Sequence, residues 1–225
     1  MRAEREPVVA IDGPAGAGKG TVARLLAERL GYRLLDTGAM YRAIALSVMR
    51  AGVDPDDAQA LARHLDRIDV SLDDGRVRLN GEDVSGVIRT QEVGQLTSTL
   101  SMQSIVRDKV TPFQRRAASP GGVVIEGRDT GTVVCPDAEV KFYLTASLDT
   151  RARRRYLEVT AQGASVSYDQ VRLEVAARDA QDANRAVAPL RRADDAVEVD
   201  TTRLSVDEVV ERMLQIVGER RCCTR

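Results

Sequence analysis

Apolar residues come in two rhythms along the start of the chain. Val8-Val9-Ala10-Ile11 is a short unbroken run that stops at Asp12-Gly13. A run of that length closed by a turn signal predicts a buried strand. After a glycine-rich stretch the period changes to helical. Val22, Leu25, Leu26 and Leu30 mark a helix over residues 21–30, and Gly31 stands where a helix C-cap is favoured. Leu34-Leu35 predicts a short second strand, and residues 41–50 a helix that stops near Gly52. Asp54-Pro55-Asp56-Asp57 is a start signal for a helix over 58–65.

The texture then becomes β-rich. Residues 68–72 and 77–79 flank Asp73-Asp74-Gly75 and predict a hairpin, and Asn80-Gly81 supplies another turn. This stretch, 68–87, belongs to an insert covering about 54–87. Residues 90–118 predict mostly helix with a break before Gln103. Alternation resumes after Pro120-Gly121-Gly122, with strands at 123–125 and 140–144 and helices over 149–162 and 168–184. A strand at 197–199 and a helix over 205–217 close the pattern. The start of that helix, Ser205-Val206-Asp207-Glu208, has the form of a capping box. Five short strands alternating with helices predict an α/β fold with a parallel sheet covered on both faces. No internal repeat or low-complexity linker interrupts it.

Composition narrows the partners. A chain of 225 residues suits one α/β domain carrying a small inserted lobe. Lys and Arg number 33 against 34 Asp and Glu, which argues against a protein that coats nucleic acid or anionic membrane. Aromatics are 3% and Trp is absent, so a base-stacking platform is not expected. No apolar run approaches the ~20 residues of a membrane span. The charged start, Met1 to Glu6, has no signal-peptide core. The expectation is a cytoplasmic protein with small-molecule partners, no nucleic acid and no membrane. Cys135, Cys222 and Cys223 lack metal-ligand spacing, and the single His64 cannot complete a Cys/His cluster. Three reduced thiols and no metal held by side chains are expected. His64 is read as a surface residue and Cys135 as a small core residue.

The strongest chemical signal is Gly13-Pro14-Ala15-Gly16-Ala17-Gly18-Lys19-Gly20-Thr21, which fits G-x-x-x-x-G-K between a predicted strand and a predicted helix. That context marks a phosphate-binding loop for ATP. Glycines let backbone N–H groups turn inward around phosphate oxygens, and the helix N-terminus faces the same anion. Lys19 adds a point charge for the β- and γ-phosphates. Gly20 stands where a Ser or Thr usually supplies a Mg²⁺ ligand, and the hydroxyl comes one residue later at Thr21. Mg²⁺ is therefore expected to be held largely by waters and phosphates.

A phosphate loop alone promises only a nucleoside triphosphate. If the acceptor is itself a phosphate, no general base is needed, and arginines become the informative residues. Arg42 follows the second strand. Arg128, in Glu126-Gly127-Arg128-Asp129, follows a buried strand at the sheet edge where α/β ligands bind. Arg151, Arg154 and Arg155 share a helix face, and Arg178, Asp182 and Arg185 precede the Ala186-Val187-Ala188-Pro189 loop. Arg153, Arg191, Arg192, Arg220 and Arg221 are read as solvated surface. Two other readings stay open on these residues: a nucleotide-gated switch with no acceptor, and a P-loop kinase for another small molecule such as shikimate.

Across essentially the whole chain these segments resemble the bacterial cytidylate kinase family of nucleoside monophosphate kinases. The resemblance is carried by Ile11 to Thr21, Leu35 to Arg42, Gly81-Glu82-Asp83-Val84-Ser85, Ile88-Arg89-Thr90-Gln91-Glu92-Val93, Gly127-Arg128-Asp129, Gly131-Thr132-Val133-Val134 and Asn184-Arg185-Ala186-Val187-Ala188-Pro189-Leu190. It implies a P-loop three-layer fold around a five-stranded parallel sheet, with a core of residues 1–36, 120–148 and 186–225. An inserted β-containing monophosphate-binding region would span about 37–119, and a short helical lid about 149–185. The implied activity is transfer of the ATP γ-phosphoryl group to CMP, with dCMP also accepted, by a monomer using Mg²⁺-ATP. Closure of the lid and the monophosphate region would exclude water as a competing acceptor. The resemblance assigns Arg42, Arg128 and Arg185 to the CMP phosphate and the transferring group, and Thr37 and Tyr41 to the lining of that site. Ser98, Arg107 and Asp129 would meet cytosine, with Ser101 a close competitor of Ser98. Asp182 and Arg178 would face the sugar, and Arg151, Arg154 and Arg155 the ATP phosphates. A carboxylate such as Asp129 suits the N4 amino donor of cytosine and would discriminate against uracil.

Overall fold

The computed structural model describes residues 5–73, 76–161 and 163–223. It divides into two compact units, Met1–Leu34 with Gly121–Arg225, and Leu35–Pro120.

The first unit is built on strands β1 (Val8–Asp12), β2 (Arg33–Asp36), β6 (Val123–Glu126), β7 (Val140–Thr145) and β8 (Val197–Asp200). They form one five-stranded sheet in the order β2-β6-β1-β7-β8. Strand β1 pairs in parallel with β6 and β7, and β7 pairs in parallel with β8. Every residue of β1 is buried, as expected of a central parallel strand covered on both faces. Side chains two apart, Val9 and Ile11 on β1 and Phe142 and Leu144 on β7, share one core. Val22 and Leu26 of helix α1 (Lys19–Leu30) and Val210 and Met213 of helix α8 (Val206–Cys223) pack into it. Gly31 takes the left-handed conformation at φ 69° and its N–H returns to Ala27 and Glu28, ending α1 as expected. Helices α6 (Leu148–Ala161) and α7 (Tyr168–Asn184) follow β7. Gln162, expected as the last residue of α6, lies outside the described residues, as do Met1 to Glu4.

The second unit carries helices α2 (Thr37–Ala51), α3 (Ala58–Leu65), α4 (Gln91–Leu100) and α5 (Ser104–Ala118). Strands β3 (Val70–Asp73), β4 (Arg76–Leu79) and β5 (Glu82–Asp83) form an antiparallel sheet with Val70 opposite Leu79. The expected hairpin is present, although its turn residues Asp74 and Gly75 lie outside the described residues. The break before Gln103 separates α4 from α5. Helix α3 has the expected bounds because Asp57 caps it, accepting the N–H groups of Gln59 and Ala60.

Helix α2 starts four residues earlier than its apolar period suggests. Asp36 accepts the Ala39 N–H at 2.9 Å and nucleates the first turn through Gly38. Thr37 and Tyr41 are thereby helical. Thr130–Val134 forms a single π-helical turn that the apolar pattern does not signal. His64 is half-buried, with Nε2 3.0 Å from Ser47 Oγ, and so is not a plain surface residue. Cys135 is also half-buried rather than core, because it closes the π turn at the protein edge. No disulfide involves it, and the side chains of Cys222 and Cys223 lie outside the described residues.

The capping box at Ser205 forms as expected. Glu208 Oε2 accepts the Ser205 N–H at 2.7 Å, and Ser205 Oγ accepts the Glu208 N–H at 3.3 Å. Ser205→Ala should cost about 1 kcal/mol and lower the melting temperature by about 2–4 °C, measured by calorimetry. An unchanged melting temperature would remove the box from the account of α8.

Candidate active site

The turn after β1 sets the donor half of the site. Gly13 lies at φ 151°, and a Cβ there would run into the Leu144 carbonyl oxygen. Only glycine lets the chain leave β1 at this angle. At Gly16, φ 74°, a Cβ would come within 2.9 Å of the Arg151 carbonyl oxygen, so α6 begins directly on the loop. Gly18 caps α1 without a side-chain hydrogen bond. The N–H groups of the first turn are therefore left to an anion.

The outward-facing carbonyls of the loop are held from behind. Arg151 is buried, and its Nη1 donates to Ala15 O at 3.0 Å and to Asp179 Oδ2 at 2.5 Å. Its Nε donates to Ala146 O at 2.9 Å. Arg154 donates to Thr201 Oγ1 at 3.0 Å and Thr201 O at 2.7 Å, and reaches Gly16 O at 3.5 Å. Thr201 Oγ1 donates in turn to Ala17 O at 3.1 Å. Arg155 differs: it is only partly buried and pairs with Glu158 one turn on, at 2.9 Å.

Lys19 is 6% exposed, and its Nζ donates to Pro14 O at 2.9 Å. Burial pushes its amine down to about 7, helped by the Arg128 charge and opposed by Glu126, Asp12 and Asp182. An open cleft of about 420 Å³ lies beside the loop, lined by Gly16, Gly18, Thr21, Arg154, Leu204 and Val206 among others. Thr201, Leu204 and Val206 were not expected as site residues. Their only sequence signal is a position between the last strand and the last capping box.

Arg128, Asp129, Arg178, Asp182 and Arg185 come together in the same unit. Arg128 Nε donates to Asp182 Oδ2 at 2.9 Å, and Arg178 Nε lies 3.8 Å from the same oxygen. Arg185 Nη2 donates to Asp129 Oδ1 at 3.2 Å, and its Nε donates to Ala188 O. Asp129, Asp182 and Arg185 are all buried. The long side chains of this group are thus held in fixed positions by buried carboxylates.

The remaining candidates lie in the second unit. Thr37, Tyr41 and Arg42 project from the first turns of α2, with Thr37 and Tyr41 buried. Arg42 Nη1 donates to Ile88 O at 3.1 Å. Its guanidinium lies against Gly94, where a Cβ would sit 3.4 Å from Nη1, in van der Waals contact. Arg107 is buried, with its guanidinium carbon 5.9 Å from the Tyr41 ring centroid. Ser98 is half-buried on α4. The Ser101 hydroxyl turns back and donates to Ser98 O at 3.0 Å.

Among the described residues no group of three or more His, Cys, Asp or Glu is arranged to hold a metal. Oxygen donors near the loop include the Thr21 hydroxyl in the cleft wall and the Glu126 carboxylate, whose charge acts on Lys19. Such hard donors suit Mg²⁺, an ion that keeps its waters and binds together with substrate phosphates.

A phosphate loop at the carboxyl end of the central strand of a five-stranded parallel sheet, backed by arginines, defines a P-loop kinase. The family model for cytidylate kinase matches residues 9–219. A cytidylate kinase of Geobacter sulfurreducens (strain ATCC 51573 / DSM 12127 / PCA) is 52% identical over 221 residues, covering 96% of this chain and 95% of its own. One from Mycobacterium leprae (strain Br4923) is 50% identical over 214 residues, covering 95% and 96%. A solved structure of an uncharacterized protein from Eubacterium ventriosum aligns with a TM-score of 0.51 at 12% identity, over 95% of this chain and 99% of that one. It is a likeness of fold alone. The chain belongs to the cytidylate kinase family.

Two outcomes follow from the loop. A Cβ at Gly20 would lie 3.7 Å from Glu126 Oε1, an ordinary contact in a helical residue. Gly20→Ala should keep activity within about threefold and stabilise the protein by about 0.5–1 kcal/mol. Gly13→Ala should abolish ATP binding. Loss of activity in Gly20→Ala would show that this position needs glycine for a reason other than space. Second, phosphates favour the ammonium form of Lys19, whereas above pH 7 the protein alone holds mostly the amine. ATP binding should therefore take up close to one proton at pH 8 and weaken by up to about tenfold per pH unit above 7. Calorimetry in two buffers of different ionisation enthalpy measures this. Zero uptake would mean that Lys19 is already charged.

Proposed function

We propose that this chain transfers the γ-phosphoryl group of ATP to CMP, giving ADP and CDP, and accepts dCMP as well. The observation that carries the reading is the network of partly buried Arg128 with buried Asp129, Asp182 and Arg185 in the unit that holds the phosphate loop. Its arginines suit a phosphate monoester, and its carboxylates suit the hydroxyl and amino donors of a nucleoside. Family membership supports the same acceptor.

The reaction asks little covalent chemistry of the protein. A CMP phosphate oxygen attacks the γ-phosphorus as the bond to the β-phosphate oxygen breaks, and ADP leaves. The second ionisation of a phosphate monoester lies near pH 6, so the attacking oxygen is already ionised and no general base is required. Catalysis is then positioning and charge neutralisation. The loop N–H groups and Lys19 hold the β- and γ-phosphates. Arg154 and Arg155 meet the ATP phosphates, and Arg151 keeps the loop in shape from behind. Leu204 and Val206 offer an apolar wall for the adenine ring. Thr21 and Glu126 would hold Mg²⁺ through its waters, and the ion, when bound, neutralises the β- and γ-oxygens.

Arg42, Arg128 and Arg185 take the CMP phosphate and the transferring group, and Thr37 and Tyr41 line that site. Asp129 accepts from cytosine N4 while Arg107 donates to the N3/O2 edge, and Ser98 is the serine that joins them. The engagement of the Ser101 hydroxyl with Ser98 O supports Ser98 over Ser101. Asp182 and Arg178 meet the sugar. A cytoplasmic monomer is part of the same reading.

Purified protein assayed with ATP and each nucleoside monophosphate should favour CMP. Robust turnover of AMP with none of CMP would overturn the reading. Asp129→Ala should raise KM for CMP by about 10- to 100-fold and leave KM for ATP within about twofold, since a hydrogen bond to a charged group is worth about 1.5–3 kcal/mol. Equal losses for both substrates would count against its role.

A further inference from the structure

Among the described residues, one buried carboxylate has no use in the reaction outlined above. Asp12, the last residue of β1, is 5% exposed and immediately precedes Gly13 of the phosphate loop. Its two oxygens take three hydrogen bonds from a segment more than a hundred residues away. Oδ1 accepts from Thr130 N at 2.8 Å and from Thr130 Oγ1 at 2.8 Å, and Oδ2 accepts from Gly131 N at 2.7 Å. All three donors belong to the first two residues of the π turn that follows Asp129.

The turn itself is wound on Asp129. The Asp129 carbonyl accepts Val133 N at 2.9 Å and Val134 N at 3.1 Å, and Thr130 O accepts Cys135 N at 2.7 Å. Gly131 gives an independent sign that the fit is close. A Cβ there would lie 3.4 Å from Asp12 Oδ2 and 3.2 Å from Lys141 Cδ, so the turn stands in van der Waals contact with the carboxylate and the Lys141 chain. Burial pushes the Asp12 carboxyl upward against the three bonds that favour its ionised form. An apolar residue would avoid that desolvation, but it would leave the N–H groups of Thr130 and Gly131 buried with no acceptor.

We propose that Asp12 is a positioning residue for the acceptor: it ties the π turn to the start of the phosphate loop and thereby sets where the Asp129 side chain stands beside Arg185. The proposal rests on the reading in which Asp129 meets cytosine. It makes donor loop and base-reading carboxylate parts of one rigid piece, through a residue that touches neither substrate.

Asp12→Asn tests it. The variant has nearly the same shape, but its Nδ2 must face either the Gly131 N–H or the Thr130 donors, so a donor meets a donor. Displacement of Asp129 should raise KM for CMP about tenfold or more, since a small misplacement of a positioned group has effects of that size. The preference for CMP over UMP should fall in parallel, while KM for ATP rises several-fold less than KM for CMP, because Asp12 also lends its charge to Lys19. A residue that merely stabilised the fold would lower the melting temperature and the active fraction but leave KM for CMP and the CMP/UMP ratio unchanged. That outcome, or equal rises in both KM values, overturns the proposal. If Asp12→Asn does not fold, Thr130→Val carries the test, because it deletes the hydroxyl bond and keeps both N–H bonds. Its KM for CMP should rise about threefold at unchanged KM for ATP, a smaller share of the same displacement, and an unchanged KM for CMP overturns the proposal. Asp129→Ala is measured alongside. If it has no CMP-selective effect, the base-reading role of Asp129 fails and takes the proposal with it. If it is CMP-selective and Asp12→Asn is not, only the proposal fails.

Discussion

Lys19 brings an amine to a place almost closed to water, and its surroundings only partly offset the cost. Its amine donates to a neutral carbonyl, that of Pro14. Arg128 opposes its charge, while Glu126, Asp12 and Asp182 act in its favour. The balance leaves the group near the point at which it loses its proton. A polyphosphate supplies the missing negative charge, so the loop is most comfortable when it holds one.

The arginines meet the same problem in a different way. Arg128, Arg151 and Arg185 each have a carboxylate partner, respectively Asp182, Asp179 and Asp129. Each guanidinium is thereby oriented before an anionic substrate arrives, which lowers the entropy lost on binding. Arg151 and Arg154 also draw the loop carbonyls outward, and the loop N–H groups are turned the other way as a result. Guanidiniums suit this work because they donate along several directions at once and do not lose their charge when buried.

The sequence was most legible where one residue decides a local outcome. Gly31 ends a helix, Asp57 starts one, and the glycines around Lys19 mark a phosphate loop whatever lies elsewhere. Strands β1 and β6 were readable because central parallel strands are apolar almost throughout, whereas the edge strands β2 and β8 show only short apolar signals between helices. What escaped notice depends on partners far along the chain. Asp12 looks like a turn residue until Thr130 and Gly131 are beside it. The spacing of Arg151, Arg154 and Arg155 predicts a shared helix face but not that two of them grip the loop. The start of α2 was missed because Asp36-Thr37-Gly38 has the composition of a turn, and only the Asp36 cap shows that it is helix. The π turn has no apolar period by which to be recognised, and it stands where the candidate site needs an irregular backbone.

The order of strands in the sheet also bears on how the chain acquires its shape. The central strand β1 is made before its partners β6 and β7, which lie more than a hundred residues later. The residues 35–120 are contiguous and find their contacts among themselves. On a ribosome that unit can fold while β1 still waits, its backbone hydrogen-bonding groups unmatched on both sides. The sheet is thus closed by long loops, the slow class of folding event. An unpaired strand that is apolar but for Asp12 is also a segment with much to gain from a chaperone. The phosphate loop, assembled only once β7 is in place, is among the last parts of the molecule to exist.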